Sequence, residues 1–236
     1  LFRSLGLSPG DAKWKELDLV GEGDSLTIPA LWIFSWYDVS IAPNIELFTY
    51  ARKQALSKSI NDNNFMLISP VTHCGIGGES EKTLVGERDV GDARYDYITL
   101  FTDWFDYWLK GTKNTILEKP KVQLFTMGDN AWRAYDEWPI NNTDFVRYYL
   151  NSTGDANSSA GTGRLQTTSP TKTSSDTFVY DPGHPVRSPY YSGAFGGFGA
   201  HDQAELELRH DVLVYSSPIL EADVNVTGPI EVQLYV

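Results

Sequence analysis

The chain has 236 residues, of which 41% are hydrophobic and 21% charged, the balance of a folded protein with enough apolar side chains to bury one large core or two ordinary ones. Nineteen basic against 31 acidic residues give a net charge of −12, and the Lys and Arg are scattered, which excludes phosphate backbones and anionic lipid as natural partners. No run approaches the roughly 18 apolar residues of a membrane helix, and one cysteine, Cys74, excludes an internal disulfide and any multi-cysteine metal site.

The chain opens on "LFRSLG" without Met or a signal-like segment. "IPALWIF" (28–34) is a short continuous apolar run, the pattern of a parallel strand covered on both faces. After it Ile45, Phe48, Ala51, Ala55 and Leu56 recur at helical spacing, and "FMLIS" (65–69) is a second apolar strand. Strand, helix, strand is one βαβ unit, whose crossover makes the two strands parallel neighbours. Between 95 and 110, "YDYITLFTDWFDYWLK" places Ile98, Phe101, Phe105 and Trp108 on one stripe of an amphipathic helix that Gly111 ends.

From about 118 the pattern changes. "KVQLFTM", "FVRYYL", "DTFVY", "DVLVYSS" and "IEVQLYV" are short alternating strands between Gly, Pro, Asn and Ser, the signature of an antiparallel sandwich. Residues 151–176 read as a long exposed connection. "SGAFGGFGAHD" (192–202) lacks a following helix pattern and is not a phosphate loop. The last stretch, "PIEVQLYV", stops on a strand pattern with no turn after it. Four Asn-x-Ser/Thr sequons begin at Asn141, Asn151, Asn157 and Asn225; they suit surface loops of an exported protein, though such triplets also arise by chance.

Functional groups in open α/β sheets gather at the carboxyl ends of strands. Asp38 lies four residues past the first apolar run and His73 four past the second, on strands about 4.8 Å apart. A carboxylate that accepts the imidazole Nδ1–H fixes the tautomer and stabilises the imidazolium formed when Nε2 takes a proton from a serine. Acid before base is the chain order of α/β-hydrolases, whose serine sits earlier on a G-x-S-x-G elbow. No such elbow occurs here; "GGESEK" offers Ser80 but no second glycine. Against the dyad stand two ordinary readings, a helix-capping or loop-bonding Asp38 and a merely satisfied His73.

Cys74 invites a cysteine-hydrolase reading with His73, but adjacent side chains diverge, and a structural thiol is the simpler role. A metal site at His73 and Cys74 would need further ligands, and His184, His201 and His210 lie in the sandwich region. Trp36, Trp104 and Trp108 read as core or crevice wall. Trp132 and Trp138 read as domain-interface packing, with a sugar-stacking platform as the other use of such rings.

Taken together, "PALWIFSWYD", "LISPVTHCG", "FTDWFDYWLKG", "VQLFTMGDNAWRAYDEWP", "YDPGHPV" and "RHDVLVYSSPILEADVNVTGPIEVQLYV" resemble successive landmarks of the cocaine esterase, α-amino-acid ester hydrolase and X-Pro dipeptidyl-peptidase group of serine hydrolases. The resemblance implies an α/β plus all-β fold: 1–20 as the tail of a helical cap ("DAKWKELDL", 11–19), 21–117 as the C-terminal part of an α/β-hydrolase domain, and 118–236 as a jelly-roll β-sandwich cut before its last strands. It implies Asp38 as triad acid and His73 as triad base, with the serine and the oxyanion tyrosine upstream of Leu1, so that this piece alone is inactive. Ser35 stands where many members have Gly, and Cys74 where the residue is often small.

The expected activity is hydrolysis of an ester or amide acyl bond in a small molecule, without cofactor, metal, nucleic acid or membrane. A homo-oligomer is left open, and compartment is unassigned, with periplasm or secretion preferred to cytoplasm. The competing expectation is a non-catalytic protein, a degenerate hydrolase whose jelly roll binds glycan or another protein.

Overall fold

The computed structural model describes residues 8, 11–13, 20–21, 23–172, 174–187 and 198–235. Most of the expected cap tail and residues 192–197 of the glycine-rich stretch lie outside the described residues. The organising element is a four-stranded sheet. Its strands β1 (Ala30–Tyr37), β2 (Asn64–Thr72) and β5 (Val122–Thr126) run parallel, and β6 (Ala131–Tyr135) returns antiparallel from β5 as a hairpin. The order across the sheet is β1-β2-β5-β6.

Strand β2 is central, and its sequence says why. Asn64 to Val71 are all buried, so nearly every side chain on both faces is apolar or small. Met66 and Ile68 point to one face with Phe34, Val122 and Leu124, where α1 (Ile41–Lys53) covers them with Phe48. Phe65 and Leu67 point to the other, where α3 (Tyr97–Lys110) lays down Tyr97, Leu100 and Trp104. The period-2 alternation of a strand thus feeds two helical layers. Each fully buried large side chain, such as Phe48, Ile68 or Leu124, contributes about 1.5–3 kcal/mol. The polar member of β2, Asn64, accepts the Trp32 indole N–H at 2.9 Å and donates to the Ile60 carbonyl at 2.6 Å from α2 (Lys58–Asp62). Its burial is therefore matched by hydrogen bonds.

Helix α3 begins where the Asp96 carboxylate accepts the Thr99 amide at 2.9 Å, and it ends at Gly111 in the left-handed conformation, φ 69°. The face it buries differs from the expected stripe. Phe101 and Trp108 pack at the margin of the core, but Ile98 is 77% and Phe105 54% exposed. The helix is apolar around most of its circumference, so two stripes one residue apart fit the sequence, and packing chooses that of Tyr97, Leu100 and Trp104.

Strand β5 corrects a second expectation. The sequence pattern assigns "KVQLFTM" to the sandwich; instead it pairs with β2, Met66 beside Val122 and Ile68 beside Leu124. Gln123 makes the segment look one-sided, yet its side chain accepts the Tyr95 hydroxyl at 3.0 Å, so the strand is covered on both faces.

Two short antiparallel pairs accompany the main sheet: β3 (Leu84–Val85) with β4 (Arg88–Asp89), and β7 (Tyr149–Asn151) with β8 (Arg164–Gln166). "FVRYYL" becomes strand only at its end. Among the described residues, "DTFVY", "DVLVYSS" and "IEVQLYV" form no ladder beyond isolated bridges at Leu213 and Ser216. The apolar side chains of "DTFVY" and "IEVQLYV" stay open, Val179 at 76% and Ile230 at 77% exposure, because no second sheet among the described residues packs on them, whereas Val212 to Tyr215 are half-buried. Among the described residues the C-terminal half is thus mixed antiparallel structure with one short α-helix, α4 (Ala204–Glu207).

The turn between β3 and β4 crosses residues 199–202 backbone to backbone. The Glu87 amide donates to the Ala200 carbonyl at 2.8 Å, and a Cβ on Gly86 would stand 2.4 Å from that oxygen. Gly86 (φ 65°) and Gly199 (φ 128°) are required there by both space and conformation.

Candidate active site

Asp38 and His73 are the first residues beyond β1 and β2, on the rim where the parallel strands end. The register explains how they meet. Through Ser35 the strands pair with an offset of 34, Ala30 with Asn64 and Ser35 with Ser69; then Tyr37 pairs with Thr72, an offset of 35. Pro70 and Val71 together face the single residue Trp36, a β-bulge on β2. Proline suits that position because it has no N–H to give to a ladder. Without the bulge Asp38 would face Thr72; with it, Asp38 comes opposite His73. The Trp36 indole donates to the Phe125 carbonyl at 2.8 Å, tying the irregular point of β1 to β5.

The result is a hydrogen bond of 2.8 Å between His73 Nδ1 and Asp38 Oδ2, with side-chain exposures of 33% and 16%. Asp38 Oδ1 is held separately, by the Ser40 amide at 2.8 Å and the Ser40 hydroxyl at 2.7 Å. Asn44, one turn into α1, donates its side-chain amide to Ser40 Oγ at 3.0 Å, which turns the hydroxyl proton toward the carboxylate. The ordinary loop-bonding role weighed for Asp38 is therefore real, and it uses the other oxygen.

Burial alone would push the Asp38 carboxyl up; the Ser40 hydroxyl, the Ser40 amide and His73 outweigh it and hold the group below the usual carboxylate range. An ionised carboxylate has no proton to give, so the Nδ1 it contacts carries the hydrogen and donates. In the neutral imidazole Nε2 is then the basic nitrogen.

Cys74 is exposed, with φ 58°, a conformation non-glycine residues seldom adopt. It opens the turn in which the Gly75 amide returns to the Thr72 carbonyl at 3.0 Å. Ser80 is exposed in its own turn, its amide donating to Thr83 Oγ1 at 3.0 Å. Among the described residues no three His, Cys, Asp or Glu side chains gather as a cation site, and none of the helices is long and apolar enough to cross a membrane. His184 lies against Asp181 at 2.9 Å on the surface.

Trp138 is buried with Phe34 and Phe48, and Trp132 packs 4.8 Å from the Tyr95 ring while donating to the Ala93 carbonyl. Both serve packing, and Trp138, at 9% exposure, has little ring surface to offer a sugar.

The sequence reading did not identify Ser40, Asn44 or the bulge. The first two carried a signal: Asp-x-Ser before a helix is an Asx-turn pattern, and Asn44 stands one turn after Ser40. Only Pro70 inside an apolar run hinted at the bulge.

Residues 114–236 match the family of the X-Pro dipeptidyl-peptidase C-terminal non-catalytic domain. Over 232 residues, 96% of its length, the chain is 31% identical to the cocaine esterase of Rhodococcus sp. (strain MB1 Bresler) and spans 38% of that protein. The crystal structure of an aminopeptidase from the marine sediment archaeon Thaumarchaeota archaeon superposes on 91% of the chain with a TM-score of 0.65 at 23% identity, and 35% of that chain is covered. The chain therefore spans well under half the length of either relative. Asp38 and His73 lie before the first residue of the family match, whereas β5 and β6 lie within it.

Proposed function

Because the chain belongs, through that C-terminal domain, to the cocaine esterase and X-Pro dipeptidyl-peptidase group of hydrolases, we propose that it carries the acid and the base of a serine hydrolase acting on ester or amide acyl bonds. The single observation that carries this reading is the 2.8 Å bond between His73 Nδ1 and an Asp38 whose other oxygen is fixed by Ser40. In this reading residues 30–135 are the C-terminal part of an α/β-hydrolase domain, its sheet extending through β6, and the remainder belongs to a jelly-roll sandwich.

In this reading the serine that attacks lies outside these 236 residues, which span 38% of the cocaine esterase they match. His73 Nε2 takes its proton as the bond from oxygen to the acyl carbon forms, and Asp38 stabilises the imidazolium. His73 then protonates the departing alcohol or amine as the acyl bond breaks, leaving an acyl-enzyme. Water repeats the sequence: His73 accepts its proton, hydroxide adds to the acyl carbon, and the proton returns to the serine as the acid leaves.

A second reading rests on the name of the matched domain, which is described as non-catalytic and covers residues 114–236. On that reading this half binds a glycan or protein surface, whatever the fate of the dyad. The two separate in one experiment on the complete protein. His73→Ala should abolish turnover of a p-nitrophenyl ester and labelling of a serine by a fluorophosphonate while the thermal melt is retained. Near wild-type turnover in that variant removes His73 from the mechanism, and a parent protein that neither turns over ester nor labels favours the binding module.

A further inference from the structure

His73 begins a loop that runs His-Cys-Gly-Ile-Gly-Gly-Glu, with three glycines in four positions from Gly75 to Gly78. Such a segment has little conformational preference of its own, so a base placed at its head needs an external tether. One is present. The Glu79 carboxylate accepts the Gly77 amide with Oε2 at 2.7 Å, gathering its own loop, and accepts the Tyr97 hydroxyl with Oε1 at 2.6 Å.

Tyr97 is the first residue of α3, and only 6% of it is exposed. Beneath the rim Ser69 Oγ of β2 is 3.2 Å from Ser35 Oγ of β1, and both serines are buried. Burial and then the Glu79 carboxylate push the Tyr97 hydroxyl far above its usual range, so it remains a donor. Tyr97 donates to Glu79, while between Ser35 and Ser69 either hydroxyl can be the donor. Ser35 lies three residues before Asp38 on β1, and Ser69 four before His73 on β2. One bond thus joins the two dyad strands, and the Glu79 carboxylate joins the His73 loop to the first turn of α3.

We propose that Glu79, acting through Tyr97, is the positioning residue that holds the His73 loop against α3 and so keeps the imidazole in line with Asp38. The proposal rests on the hydrolase reading above, and its role is distinct from folding: packing of α3 is supplied by Leu100, Trp104 and the Tyr97 ring, none of which needs the carboxylate.

The test uses the complete protein with a p-nitrophenyl ester. Glu79→Ala should lower kcat by roughly 10- to 100-fold, the cost of a misplaced catalytic group, with KM within about twofold. Tyr97→Phe keeps the ring and should lower kcat in the same sense. Glu79→Gln retains one acceptor oxygen and should recover part of the loss. The Nδ1 proton resonance of His73, followed by NMR, should broaden or vanish in Glu79→Ala and persist in Glu79→Gln. Wild-type kcat in both Glu79→Ala and Tyr97→Phe, or a rise in KM alone, overturns the proposal. If His73→Ala remains active, the hydrolase reading itself has failed; if His73→Ala is dead while Glu79→Ala turns over normally with an intact resonance, the tether alone has failed.

Discussion

Replacing Asp38 by Asn tests the chemistry of the dyad with almost no change of shape. The structure dictates which way the new amide turns. Oδ1 receives the Ser40 backbone N–H at 2.8 Å, and a backbone amide can only donate, so the carbonyl oxygen of the substituted side chain must occupy that position. The amide nitrogen is then left at the place of Oδ2, 2.8 Å from His73 Nδ1, where it also can only donate. His73 must present Nδ1 as an acceptor, which puts its proton on Nε2 and removes the lone pair that receives the serine proton in the proposed mechanism. A wrong tautomer in this arrangement costs about 10⁴ in kcat, or about 5.5 kcal/mol of transition-state stabilisation at about 1.4 kcal/mol per decade. The assay is p-nitrophenyl ester turnover by the complete protein, with ¹⁵N NMR of the His73 ring to read the tautomer directly. A kcat within tenfold of wild type, with Nδ1 still protonated, would refute the assignment of orientation to Ser40 and of tautomer control to Asp38.

Two other substitutions probe what holds the rim. Ser40→Ala removes one of the three donors on Asp38 and should cost about 1–2 kcal/mol in urea unfolding near neutrality. Burial opposes ionisation of Asp38, but the Ser40 and His73 bonds leave its folded pKa below the unfolded one. The carboxylate therefore adds stability above the unfolded value of about 3.9, and that contribution disappears as pH falls through the lower folded value. The cost of Ser40→Ala should accordingly shrink in acid; a cost that stays constant from neutral pH to below the folded pKa argues against this linkage. Gly86→Ala places a methyl against the Ala200 carbonyl at a left-handed backbone position and should destabilise by about 1–3 kcal/mol, read as a shift of the denaturation midpoint. An unchanged midpoint would mean that the crossing of 84–89 with 199–202 is not made in solution.

The sequence made the βαβ core legible because the relevant signals are local. "ALWIF" and "FMLIS" are apolar without alternation, Pro43 and the helical spacing of Ile45, Phe48 and Ala51 mark the crossover, and parallel neighbours must end on one rim. Asp38 and His73 could thus be placed near each other from spacing. What fixes them opposite each other could not be read, because a bulge is a property of two paired strands, and Pro70 discloses only one of them. The face of α3 was hidden for a different reason: Ile98 and Phe105 are as apolar as Tyr97 and Leu100, so periodicity locates the helix without orienting it. In the C-terminal half, alternation in "DTFVY" and "IEVQLYV" records a side-chain pattern, but a ladder needs a partner at the right register, which pattern does not supply.

The position of β5 changes how the two halves of the chain should be divided. Residues 114–236 match a domain described as non-catalytic, yet its first strand sits against β2 in the sheet that carries the dyad, with Leu124 beside Ile68. Its Phe125 carbonyl receives the indole of Trp36, the one residue of β1 that faces the two-residue step of β2. The offset that brings Asp38 opposite His73 is created at that step. A bulge in a parallel pair leaves backbone groups without ladder partners and is kept only where its surroundings over-determine it. Here the lock on the β1 side is contributed by the matched half. The domain named for lacking chemistry therefore takes part in setting the register on which the proposed chemistry depends, through β5 and the β6 strand paired to it.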